Sequence, residues 1–266
     1  MIVAIIVILL IAAYVCMTMP SLQGRAKGWK RTLFAHRGLH GGDIAENSQE
    51  AFQAACACGY GIELDVQLSR DGKVVVFHDD TLLRMTGDKR RVDQVDYSEL
   101  KTLSLEGKGG IPTFDEVLHL VNGRVPLLVE IKNGKRNEEL CRKTLDCLRA
   151  YKGDYVVESF NPLIIAWMRK NAPEIIRGQL VGPRKSYKGT VGVFAGIALA
   201  GLLLNFKAKP DFIAYDANAK GFVAPHIQRA LFRVPMAAWT VREKGGCEAC
   251  LKRGEMPIFE GFRPGK

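Results

Sequence analysis

The sequence predicts an α/β protein, a (β/α)8 TIM barrel preceded by an N-terminal transmembrane helix. Three observations predict it. Strand and helix signals alternate from residue 32 to the C-terminus, the pattern of a parallel sheet. About eight such units fit the length, as one barrel requires, and no glycine-rich phosphate loop follows the first strand to suggest a doubly wound sheet. The chain also opens on an apolar run of bilayer length.

That run, Ile2 to Met19, is almost wholly apolar, and no charged side chain occurs before Arg25. About 18 to 20 such residues just span a bilayer core at 1.5 Å each. A cleaved signal peptide wants positive charge before its apolar core, whereas here Arg25, Lys27, Lys30 and Arg31 follow it. The expectation is a retained single-pass anchor over residues 1–24, in the cell membrane. A basic juxtamembrane linker follows over 25–31, then a catalytic barrel over 32–266 facing the cytoplasm.

Within the barrel, Thr32 to Ala35 reads as a short strand and Ser48 to Cys58 as a helix. Gly61 to Ser69 alternates, with Ile62, Leu64 and Val66 on one face and Glu63 and Asp65 on the other. Val74 to Phe77 is β-branched and follows an Asp71-Gly72 turn, so the two strands form a hairpin. Pro112-Thr113 opens a helix with Asp115 and Glu116 in its first turn, where the dipole favours them. Further strands are expected at Pro126 to Ile131, Tyr155 to Phe160, Ile175 to Val181, Asp211 to Tyr215, Met236 to Val241 and Met256 to Phe259. Helices lie between them, around Glu138 to Tyr151, Leu163 to Asn171, Pro225 to Phe232 and Gly246 to Arg253. A second apolar run, Val191 to Leu204, is too short for a span. It is read as a barrel helix packed on its strands, the other reading being a segment that rests on a membrane or lines a lipid groove.

Charge narrows the partners. A formal net charge of +10 favours anionic ones: nucleic acid, acidic membrane or a phosphorylated substrate. The basic clusters at 89–91, 132–136 and 25–31 carry no interleaved aromatics of the kind that stack on single strands, so nucleic acid is the weakest choice. Seven cysteines need not be disulfides in a chain of this size, and Cys247 and Cys250 lack a second pair to complete a zinc site. The sequence leaves the oligomeric state open.

Polar residues gather where strands end: His36-Arg37-Gly38, Glu63 and Asp65, His78-Asp79, and Glu130-Ile131-Lys132. Residues i and i+2 of a strand share a face. Glu63 and Asp65 therefore point together, and two carboxylates so placed repel unless a cation sits between them. With Glu130 from the next strand they form a hard-oxygen site for one divalent cation, Mg²⁺ or Ca²⁺.

The ordered set of motifs resembles the glycerophosphodiester phosphodiesterase family over about Leu33 to Val241. The matching stretches are His36-Arg37-Gly38, Glu46-Asn47-Ser48, Glu63-Leu64-Asp65-Val66, Val75-Val76-Phe77-His78-Asp79, Leu83 to Gly87, Ile111-Pro112-Thr113, Glu130-Ile131-Lys132, Ser159-Phe160-Asn161-Pro162 and Trp239-Thr240-Val241. The resemblance implies a barrel with a small insertion after the second strand, about His78 to Gly110. It implies hydrolysis of glycerophosphodiesters to glycerol 3-phosphate and an alcohol. Carried over by position, Glu63, Asp65 and Glu130 are the metal ligands, with Glu46 near the metal. His36 and His78 are the acid–base pair, and Arg37 and Lys132 are phosphate contacts. Phe160 and Trp239 are read, from their apolar rings, as a wall of the substrate site for the glycerol or the leaving group, the other reading being core packing. The chain departs from the family at its last strand, where Phe259-Glu260-Gly261-Phe262-Arg263-Pro264 replaces a Thr-Asp-x-Pro motif. The anchor and the second apolar run also suit a lysophospholipase D acting on a membrane lysophospholipid. A membrane-tethered binding protein on a retired barrel is the non-enzymatic reading.

Overall fold

The computed structural model describes residues 1–265. Its strands are β1 (Phe34–Ala35), β2 (Gly61–Leu68), β3 (Val74–Val76), β4 (Leu127–Ile131), β5 (Tyr155–Ser159), β6 (Arg177–Val181), β7 (Phe212–Asp216), β8 (Met236–Val241) and β9 (Met256–Phe259). All but β3 run parallel around one ring, which closes where β9 pairs with β1 through Ile258↔Phe34 and Phe259↔Ala35. The expected eight-stranded parallel barrel is therefore present. β3 lies antiparallel on β2, completing the hairpin read from Asp71-Gly72.

Alternation along the strands sorts the core into two parts. One face of each strand packs outward on the helices: Ile62, Leu64, Val66, Val129, Val157, Ile213 and Ala238 belong to this layer. The other face fills the barrel with Phe34, Leu128, Val156, Leu180, Phe212, Met256 and Ile258. Two glycines make room for the large rings. A Cβ on Gly61 would lie 2.8 Å from the Phe34 ring, and one on Gly178 would overlap the Phe212 ring. A third cluster, around Val75, Phe77, Leu82, Met85, Leu100 and Ile111, gives the segment after β3 a core of its own.

The expected transmembrane helix is overturned: among the described residues no helix is long and apolar enough to cross a membrane. The apolar run does form a helix, Ile2–Thr18, but of 17 residues. At 1.5 Å per residue it is about 25 Å long, short of a hydrocarbon core of about 30 Å. Pro20 ends the apolar run as a helix-former, and the exit from the helix is docked on the barrel. Thr18 is buried, Asn205 Nδ2 donates to its carbonyl at 3.0 Å, and Lys209 Nζ donates to the Met19 carbonyl at 3.2 Å.

Residues 25–31, read from the sequence as a linker, begin with a 3-10 turn, Arg25–Trp29. Ala26 is buried in the barrel-filling cluster, and Trp29 stacks on Phe34. Arg25 Nη2 pairs with the buried Asp211 at 2.7 Å. The second apolar run holds a short helix, Val193–Ala200, of which only Gly196 and Ala200 are buried.

Candidate active site

At the C-terminal end of the barrel the inward positions turn from apolar to charged. On β2 the inward face reads Gly61, Glu63, Asp65. The register then sets Asp65 opposite Glu130 of β4, and Glu130 opposite Glu158 of β5. All four carboxylates are buried. Lys132, the next inward position of its chain segment, places Nζ 3.0 Å from Glu130 Oε1 and 3.3 Å from Asp65 Oδ1.

The loop after β1 supplies the donors. Arg37 adopts a left-handed conformation, φ 54°, and Gly38 follows at 81° with no space for a Cβ against Ala51. This turn aims the Arg37 backbone N–H at Glu63 Oε2, 2.9 Å away. The Arg37 side chain donates to Glu46 Oε1 at 2.8 Å, and its Nε lies 3.7 Å from Asp65 Oδ2. Asn47, also left-handed at φ 53°, donates from Nδ2 to Asp65 Oδ2 at 2.9 Å. Asn is among the residues that tolerate this region best.

Each histidine is held through one nitrogen. His36 Nδ1 lies 2.6 Å from Glu260 Oε2, and His78 Nδ1 lies 2.6 Å from Asp79 Oδ1. Glu260 is braced by Arg242, with Nη2 3.2 Å from Oε1. Asp79 is braced by Arg84, which also donates to Glu46. His36, Arg37, Glu46, Glu63, His78, Glu130, Phe160 and Trp239 line one cavity of about 690 Å³. Asp65 and Lys132 are not on that lining. They lie behind it, tied to Arg37 and Glu130. Phe160 and Trp239 pack edge to face at 5.6 Å, so they wall the cavity and cap the barrel core together.

The electrostatics are those of an excess of buried negative charge. Burial, then the neighbouring Asp65 and Glu130 charges, push the Glu63 carboxyl well above its usual range. Burial also raises Glu130, against the pull of Lys132. Asp65 goes the other way: burial opposes its charge, but Lys132, His78 and Arg37 outweigh that and hold its carboxyl far below normal. Burial lowers His36, and the contact with Glu260 opposes the change. Glu260 itself is brought down to about 2, chiefly by the hydrogen bond from His36.

Glu63, Asp65 and Glu130 each offer a carboxylate oxygen, all within 4.8 Å of one another. Asp65 Oδ1 is buried and makes no hydrogen bond, its nearest cation being the Lys132 ammonium at 3.3 Å. Three hard oxygens, one of them making no hydrogen bond and two belonging to carboxyls that resist ionising, fit a hard divalent cation.

Sequence reading missed several participants. Glu260 was visible as a polar residue at a strand end, but it stood outside the family motif. Glu158 was hidden because β5 is buried on both faces and its inward position is marked only by register. Arg84 and Asp79 lie in quoted motifs without an assigned part, and their part here is to brace His78 and Glu46.

The sequence model of the glycerophosphoryl diester phosphodiesterase family matches residues 36–259. A glycerophosphodiester phosphodiesterase of Caldanaerobacter subterraneus is 34% identical over 163 residues, covering 57% of this chain and 67% of that protein. A human lysophospholipase D is 33% identical over 144 residues, covering 48% of this chain and 43% of that protein. The chain thus spans between about two fifths and two thirds of the length of these curated relatives. An Oleispira antarctica phosphodiesterase, solved with its product sn-glycerol-3-phosphate, has the same fold. It superposes with a TM-score of 0.71 at 22% identity, over 88% of this chain and 94% of that one.

Proposed function

We propose that this chain, which belongs to the glycerophosphoryl diester phosphodiesterase family, hydrolyses glycerophosphodiesters to glycerol 3-phosphate and an alcohol. In this reading it uses one divalent cation, Mg²⁺ or Ca²⁺, and two histidines. One observation carries the reading: Glu63 and Glu130 of a buried three-carboxylate cluster, an arginine and two carboxylate-held histidines open on the same cavity, with the third carboxylate, Asp65, directly behind.

Glu63, Asp65 and Glu130 would hold the cation, with Glu46 beside them through Arg37. Bound there, it supplies positive charge to the phosphoryl oxygens as charge grows on them. Arg37 adds a fixed guanidinium, already oriented by Glu46 and Asp65, so no reorganisation is needed as the transition state forms. Lys132 offsets the charge of Asp65 and Glu130 from behind, favouring the ionised form of Asp65 and opposing the effect of burial on Glu130. Its ammonium would act on the phosphate only through that cluster.

With Nδ1 of each imidazole engaged by a carboxylate, Nε2 is left for proton exchange. One histidine takes the proton of the attacking hydroxyl and the other delivers one to the leaving alkoxide. Phe160 and Trp239 give the substrate an apolar wall.

The test is an assay of the metal-stripped chain on glycerophosphocholine and glycerophosphoethanolamine, with and without Mg²⁺ or Ca²⁺. Metal-dependent release of glycerol 3-phosphate is expected; a folded, metal-binding protein that releases none would sink the proposal. A second reading, lysophospholipase D activity, is favoured by a groove of about 510 Å³ next to that wall, lined by Tyr187, Val191 and Val193. Lysophosphatidic acid as the main product from a lysophospholipid would decide for it.

A further inference from the structure

We propose that the segment between β6 and β7, residues 182–210, is a docking lobe that seats the mouth of the site on an anionic phospholipid bilayer. The N-terminal helix takes no part in this proposal.

The lobe joins two features that a folded surface rarely combines. The first is exposed apolar bulk: Phe194 is 88% exposed, Val193 59% and Ile197 46%, and all three lie on the helix Val193–Ala200. Gly196 and Ala200 are the buried positions of this helix; Phe194 projects away from them, with Val193 and Ile197 flanking it at the edge of the exposed side. A side chain as large as phenylalanine, left almost wholly in water, loses the gain that burial of its ring would bring.

The second is unopposed positive charge. From Gly182 to Pro210 the chain has no Asp or Glu, and it carries Arg184, Lys185, Lys188, Lys207 and Lys209. Arg184, Lys185 and Lys188 are exposed and, among the described residues, pair with no carboxylate. They border the same groove that Tyr187, Val191 and Val193 line. Apolar side chains ringed by unpaired cations match an anionic bilayer, whose surface attracts the cations while its acyl boundary takes the apolar groups.

The lobe is also coupled to the site. Tyr187, buried beneath it, meets Phe160 edge to face at 6.4 Å, and Phe160 meets Trp239 at 5.6 Å. Tyr187 accepts a hydrogen bond from the Gly182 amide, which fixes the start of the lobe to the end of β6. A lipid-bound lobe therefore abuts the cavity wall.

The experiment is sedimentation of the full chain with phosphatidylcholine vesicles, with and without phosphatidylglycerol. It compares wild type with Phe194→Asp and with Arg184→Ser/Lys185→Ser/Lys188→Ser, each checked for folding by its thermal melt. Wild type should partition to the anionic vesicles, and each variant should lose on the order of tenfold in partition coefficient. Salt at about 1 M should weaken wild-type binding in the same direction. Undiminished binding by both variants would place any association elsewhere on the chain and overturn the proposal. So would the absence of wild-type binding, or a dimer in light scattering that Phe194→Asp dissolves without vesicles. Because the readout is partition and not turnover, it stands apart from the reaction proposed above.

Discussion

His36 Nδ1 lies 2.6 Å from Glu260 Oε2, a contact that ties the end of the first barrel strand to the end of the last. The barrel makes it possible by pairing β1 with β9, which sets Ala35 beside Phe259. Arg242 holds the carboxylate from the far side at 3.2 Å. The ring is held in one orientation, with Nε2 toward the Glu63 side at 4.0 Å.

If that orientation matters, Glu260→Ala should lower kcat on glycerophosphocholine by about ten- to a hundredfold, with KM and metal affinity unchanged. His36→Ala and His78→Ala should each cost about 10² to 10⁴. The double variant Glu260→Ala/His36→Ala should be no worse than His36→Ala alone, since the two act as one unit. Steady-state kinetics on the four proteins check this, and wild-type kcat in Glu260→Ala would remove Glu260 from the mechanism.

Removing a ligand should separate metal binding from folding. Glu63→Ala or Glu130→Ala should abolish metal-dependent turnover and weaken cation binding in calorimetry, while the far-ultraviolet dichroism stays that of the barrel. Each substitution also relieves like-charge repulsion among buried carboxylates. The metal-free variants should therefore melt no lower than metal-free wild type. Full activity in either variant would sink the three-carboxylate site.

The same carboxylates give a pH dependence of definite sign. Glu63 and Glu130 are raised above 4.5 in the folded protein, so above that pH the folded state binds more protons than the unfolded one. Stability of the metal-free protein should then fall as pH rises from about 4.5 through the raised values. Asp65 is shifted the other way, and its effect lies below its ordinary 3.8. A divalent cation offsets the repulsion once both groups ionise, so adding Mg²⁺ or Ca²⁺ should raise Tm more at pH 8 than at pH 5. Differential scanning fluorimetry at the two pH values measures it; an equal or reversed increment would contradict the assignment.

Much of this was legible in the sequence because the site sits where periodicity changes meaning. The i, i+2 rule placed Glu63 and Asp65 on one face before any contact was known, and Met236–Val241 and Met256–Phe259 were read with their observed ends. What could not be read depends on closure and on depth. Glu260 reaches His36 only because β9 returns to β1, a pairing across 224 residues that no local pattern encodes. Glu158 is exposed as an inward residue only by its register with Glu130. The transmembrane expectation failed for a different reason. Hydropathy counts apolar residues but not where the helix ends, and here Thr18 and Met19 are held by Asn205 and Lys209 on the barrel.

Packing inside the barrel gives a prediction independent of the chemistry. Gly178 faces Phe212 so closely that an added Cβ would overlap the ring. Phe212 is fully enclosed and lies next to Leu180, Ala214 and Met256, so it cannot move aside freely. Gly178→Ala should cost about 1 to 3 kcal/mol by overpacking, read as a lower urea midpoint with an unchanged m-value. A neutral result would mean that the barrel floor is looser than its contacts indicate.

The segment before the barrel should divide into a part the fold needs and a part it does not. The helix Ile2–Thr18 is exposed along most of its length, whereas Arg25 reaches across to Asp211, which is fully buried and also accepts from the Arg177 amide at 3.2 Å. Loss of Arg25 leaves Asp211 with the more distant Arg177 guanidinium at 3.8 Å and one backbone donor. A buried carboxylate stripped of its main partner costs about 1 to 3 kcal/mol. Deletion of residues 1–17 should change stability by less than about 1 kcal/mol, as removal of exposed structure does, while Arg25→Ala should lower it by the larger amount. Urea denaturation of the two variants decides: equal losses would mean that the apolar helix supports the barrel as much as the Arg25–Asp211 pair does.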